Sequence, residues 1–147
     1  MADALRELVA RSSKSRPVLI EVSPGELVDK ITILQIKYER ISDEAKVVHV
    51  RAELAALEGV QRESLSPSPQ LEKLTDELRA VNAQLWQIED DIRLCEHAGD
   101  FGPRFVELAR SVYRVNDRRT DLKRTINEML GARVAEVKSY PDYKEPR

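Results

Sequence analysis

Aromatic residues make up only 5% of this 147-residue chain, which also holds 5 glycines, one cysteine and 2 histidines. So few aromatics and glycines beside 34% charged residues suit exposed helices better than a sheet protein. The single cysteine, Cys95, excludes an internal disulfide framework and fits a reducing compartment. Net charge is close to balance, at −2 from 24 basic and 26 acidic residues, so no global field points to nucleic acid. No apolar run approaches the roughly 20 residues a membrane-spanning helix needs. The start, MADALRELVARSSKSRP, carries Asp3 and Glu7 where a secretory signal would be apolar. The expected location is the cytoplasm.

Reactive chemistry is also scarce. His49 and His97 fall on outward positions of different predicted helices, and no Glu-x-x-His pair exists to build a carboxylate-bridged metal bundle. There is no Gly-rich phosphate loop and no nucleophile elbow. Cys95 falls on an apolar seam with no histidine in register to activate it, and reads as a small core residue. The sequence therefore nominates no metal, no cofactor and no catalytic residue.

What the chain does contain is helix signals in series. Ser23 and Glu26 make a capping box with Pro24 at the first helical position, and Leu27, Ile31, Leu34, Tyr38 and Ile41 follow in steps of four and three. Ser42-Asp43 interrupts, and a second helix carries Val47, Val50, Leu54 and Leu57. SPSP at 66–69 ends it and supplies Ser68-Pro69 as the next start. The third helix keeps heptad spacing through Leu71, Leu74, Leu78, Val81, Leu85, Ile88, Ile92 and Cys95, a coiled-coil pattern. Gly99 stops it, and a fourth runs from Pro103 to Leu130 with Phe105, Leu108, Val112, Val115, Leu122, Ile126 and Met129 on its seam, before Gly131.

Short connections favour antiparallel neighbours, so the expected fold is all-α, an up-down-up-down four-helix bundle. Folding the turns back aligns five layers, among them Leu34/Leu54/Leu78/Leu122 and Tyr38/Val50/Val81/Arg119. The organisation read from this is a flexible extension at 1–17, one bundle domain at 18–140 and a tail at 141–147. VLIEV (18–22) and RVAEV (133–137) are placed to pair as a small antiparallel β ribbon. The layers run out near Leu85 and Val115, so helices three and four overhang as a hairpin by about 15 Å at ~1.5 Å per residue.

That overhang is the leading functional expectation. It concentrates Trp86, Phe101, Phe105 and Tyr113 with an acidic side (Glu89, Asp90, Asp91) and a basic side (Arg104, Arg110). An exposed apolar patch flanked by opposite charges is self-complementary under a two-fold axis. The expectation is an interaction or scaffold module forming a homodimer, or docking a protein partner, through this surface. Turn chemistry alone accounts for the glycines, Asp100 and Pro103 of the loop. The alternative is a small anionic-ligand site, or a small all-helical enzyme, built on a polar core layer of Tyr38, Asn82, Asn116 and Arg119. A buried arginine there also serves simply to fix helix register.

The segments VSPGELVDKITILQIKYERI, LWQIEDDIR, FVELARSVYRVNDRRTDLKRTIN and EVKSY together resemble an uncharacterised bacterial family of small proteins catalogued as a domain of unknown function. The resemblance spans roughly residues 18–140. It implies a bacterial origin and carries no established activity, so it adds no site residues.

Overall fold

The computed structural model describes residues 17–134, 137, 139 and 142–144. Within them the chain forms four helices: α1 (Pro24–Arg40), α2 (Glu44–Ser64), α3 (Pro69–Ala98) and α4 (Pro103–Met129). The flexible extension expected at the N-terminus lies, apart from residue 17, outside the described residues. None of these helices is long and apolar enough to cross a membrane, and no group of three or more metal-ligating side chains gathers among the described residues.

Local chemistry sets the helix ends. The Ser23 hydroxyl accepts from the Glu26 amide at 3.2 Å, Asp43 from the amides of Ala45 and Lys46 at 3.0 and 3.3 Å, and Ser68 from Leu71 at 3.1 Å. Each satisfies amides that the first helical turn leaves without an intrahelical partner. Gly99 terminates α3 at φ 64°, a left-handed conformation that costs a glycine nothing.

The apolar seams of α3 and α4 build the main core. Leu71, Leu74, Leu78, Val81 and Ile88 pack with Val115, Leu122 and Ile126, and α1 contributes Val28 to the same cluster. The outlying position is α2: its close packing is against α1, an open groove separates it from α3, and it buries no residue fully. The expected four-helix layers are therefore not formed, because α1 has two seams. Leu27, Ile31 and Leu34 are buried outside the α3–α4 core, on the stripe that carries Tyr38 to Arg51 of α2 at 3.1 Å. Gly25, Val28, Asp29, Thr32 and Ile36 form a second stripe, also buried, which faces the α3–α4 pair. The result is a helical bundle with α1 at its centre and α2 on the outside.

A helix held by one neighbour opens at lower cost than one packed on three sides. Amide hydrogen exchange should therefore reach α2 before any of the other helices, whereas a closed four-layer bundle would protect α2 and α1 alike.

No strand is present among the described residues. The β ribbon expected at 18–22 and 133–137 is replaced there by an ion pair between Glu21 and Arg133, with Val18, Leu19 and Ile20 exposed; residues 135 and 136 lie outside the described set. Two strands with no third element to cover them are marginal in water.

Candidate functional site

Two places carry the residues singled out by sequence. The first is the polar layer between α1, α3 and α4. The Asp29 side chain is only 2% exposed and accepts both Arg119 Nε at 2.8 Å and Arg119 Nη2 at 2.5 Å. Asn82 Nδ2 donates to Asp29 Oδ1 and to Thr32 Oγ1, each at 2.9 Å, and the Thr32 hydroxyl donates back to the Asp29 carbonyl at 2.8 Å. The fork of the guanidinium thus meets a carboxylate in two parallel charge-assisted bonds, the strongest arrangement open to it. One helical turn away Lys123 Nζ lies 2.6 Å from Glu26, and the Gly25 amide donates to Asn127 Oδ1 at 2.7 Å.

Of the four residues expected to share a ligand layer, Asn82 and Arg119 come together. Tyr38 does not join them: it sits on the other seam of α1, exposed, with Arg51 over its ring. Asn116 is half-buried on α4, and its carbonyl accepts from the Thr120 hydroxyl at 3.1 Å. Sequence reasoning missed Asp29 and Thr32, because the conspicuous seam of α1 is the apolar one. The signal was available, since Gly25, Asp29, Thr32 and Ile36 keep steps of four, three and four. Chemically, the layer locks the rotation and register of α1. An anionic ligand would have to displace Asp29 from Arg119.

The second place is the projecting hairpin. At its root Trp86 lies beneath Arg40, whose guanidinium carbon is 6.0 Å from the ring centroid. With Ile33, Ile36 and Leu85 it borders a cavity of about 260 Å³ that Glu89, Asp90 and Arg119 also line. Trp86 is therefore a residue of the junction with α1 rather than of the free end. Beyond it Leu94, Phe101 and Val106 are 62%, 55% and 51% exposed. Phe101 packs edge-on against half-buried Phe105 with ring centroids 5.3 Å apart. Leu94 was missed because it lies opposite the α3 heptad seam, where periodicity carries no signal.

The charges expected to line opposite sides are partly used within their own helices. Glu89 pairs with Arg93 at 3.1 Å, Asp91 accepts from Gln87 at 3.0 Å, and Glu107 holds Arg114 at 3.0 Å and Arg110 at 3.6 Å. Asp90 and Arg104 are exposed. Tyr113 meets Tyr143 of the C-terminal segment, ring centroids 4.8 Å apart at 63°. Partial burial, followed by a hydrogen bond to Asp117, pushes the Tyr143 phenol above its ordinary pKa. Of the described residues beyond α4, Tyr143 thus lies against the α4 surface.

Residues 18–144 match a family of unknown function, DUF6165. The chain belongs to that family. No curated protein and no solved structure matches the chain. The family span takes in all four helices, both places described above and Tyr143.

Proposed function

We propose that this family member is an interaction module whose α3–α4 hairpin docks on the same hairpin of a second copy. The observation that carries the reading is the exposure of Phe101 and Val106 at a hairpin end that neither α1 nor α2 covers. An uncovered apolar end of this kind is what an isolated chain leaves when its partner is missing. Charge supports a second copy as the occupant. Glu89, Asp90, Asp91, Glu96 and Asp100 on the α3 side, against Arg93, face Arg104, Arg110 and Arg114 on the α4 side, against Glu107. A two-fold axis lays the acidic helix of one copy on the basic helix of the other. The polar layer is a weaker basis for function, since both arms of Arg119 that reach Asp29 are already engaged by a buried carboxylate.

Sedimentation equilibrium over a wide concentration range tests this. The wild type should form a dimer, and Val106→Asp should weaken it at least tenfold, as placing a charge in an apolar contact costs about 1.4 kcal/mol or more. Phe101→Ala should act in the same direction. Helix content by circular dichroism should be unchanged in both, because neither side chain belongs to the core. A wild type that stays monomeric throughout, or a dimer indifferent to both substitutions, ends the reading.

A further inference from the structure

We propose that the C-terminal segment carrying Tyr143 is a tethered competitor for the docking face of the hairpin, lying on α4 in the single chain and displaced when a second copy binds. The proposal rests on the self-association reading and adds its regulation.

The argument starts from where the segment lies. Helix α4 ends at Met129, and Tyr113 lies about 24 Å back along it at ~1.5 Å per residue. Tyr143 nevertheless meets Tyr113, so it lies back along α4 toward the hairpin and not beyond the helix end. It arrives on a particular stripe. Phe105, Ala109 and Tyr113 follow each other in steps of four, with Val106 beside them, so they share one side of α4. Val106, Ala109 and Tyr113 are all exposed. Tyr143 covers the bundle end of this stripe, and its hydroxyl is held by Asp117.

The contact is built to open. Both tyrosines remain more than one third exposed while their rings touch edge to face, and the hydrogen bond from Tyr143 to Asp117 is at the surface. Tyr113, against which Tyr143 rests, is exposed and outside the core cluster. A second hairpin laid along Phe105, Val106, Ala109 and Tyr113 needs the face of Tyr113 that Tyr143 occupies. The two cannot both be seated, so the segment raises the concentration at which copies associate.

Sedimentation equilibrium of the full chain distinguishes the possibilities, comparing wild type, Tyr143→Ala and the double variant Tyr143→Ala/Val106→Asp. Removing the ring should tighten the dimer roughly three- to tenfold, the weight of one aromatic pair, and the double variant should lose that gain. If Tyr143→Ala leaves the dissociation constant unchanged, or weakens association, while Val106→Asp still disrupts it, the competitor role is overturned and docking through the hairpin stands. If every species is monomeric, or every species associates alike, both the competitor role and the docking reading fail.

Discussion

Replacing Arg119 with methionine should destabilise the fold by about 3–5 kcal/mol, the usual result of leaving one member of a buried ion pair without the other. The Asp29 side chain is 2% exposed while that of Arg119 is 29% exposed. Loss of the arginine therefore strands a carboxylate that cannot turn to water, with Asn82 as its remaining side-chain donor at 2.9 Å. The opposite change, Asp29→Leu, should cost less, because the guanidinium has a route outward along its own stem. Combining Asp29→Leu with Arg119→Met should recover much of the loss, since a well-packed apolar pair often replaces a buried ion pair at little net cost. Urea denaturation with unchanged slope would measure all three, and Arg119→Met alone should lower Tm by roughly 10 °C for a chain of this size. If the single and double variants are equally unstable, the layer contributes more than a compensated charge. If Arg119→Met is neutral, the pairing of Asp29 and Arg119 does not hold α1 in place.

Gly25→Ala should be destabilising by about 3 kcal/mol, against the ordinary helical preference for alanine of roughly 1 kcal/mol. Gly25 is in the first turn of α1 with no unusual backbone angle, so conformational freedom is not what demands glycine. Proximity demands it. A Cβ built there would lie 2.5 Å from the Lys123 carbonyl oxygen and 2.8 Å from Asn127 Oδ1. The first of these belongs to the backbone of α4 and cannot swing aside. Relief requires the start of α1 to lift off α4, which breaks the bond from the Gly25 amide to Asn127 and loosens Lys123 from Glu26. Gly59 in α2 is the control: an added Cβ would meet only the far end of Arg62 at 3.8 Å, so Gly59→Ala should be neutral or stabilising. Equal effects at the two glycines would show that propensity, and not the α1–α4 approach, decides both.

Particular residues show how much of this was legible beforehand. Ser23, Asp43 and Ser68 announce their helices through side-chain oxygens that act on amides two or three residues away, so helix starts are local facts. The heptad run from Leu71 to Cys95 and its partner from Phe105 to Met129 meet across a four-residue turn, and their pairing was readable for the same reason. Arg119 was identified as the centre of a polar layer because it interrupts the α4 seam, with Asn82 within reach of it. Their partner was not. Tyr38 shares the visible seam of α1 and was assigned to Arg119, yet a buried guanidinium takes the carboxylate of Asp29 when rotation of α1 brings it within reach. Glycine, aspartate and threonine on one stripe do not register as a buried face when burial is sought through hydrophobicity.

The surface shows the same division. Phe101 stands out in sequence and, with Val106, is exposed in the fold, because α1 does not extend far enough to cover them. Trp86 was grouped with them but sits at the junction, since α1 reaches it through Arg40. Tyr113 was read as open surface, and a segment distant in sequence lies against it. By itself the sequence determined the four helices, their ends, the α3–α4 core and the membership of a family of unknown function, all properties of short spans or of neighbours joined by short turns. Only the tertiary structure decided that α1 is central with two buried faces, that α2 packs closely on α1 and not on α3 or α4, that Asp29 rather than Tyr38 holds Arg119, and that Tyr143 meets Tyr113. Each of these depends on how one helix is rotated and placed against others, and no residue's near neighbours in sequence encode that.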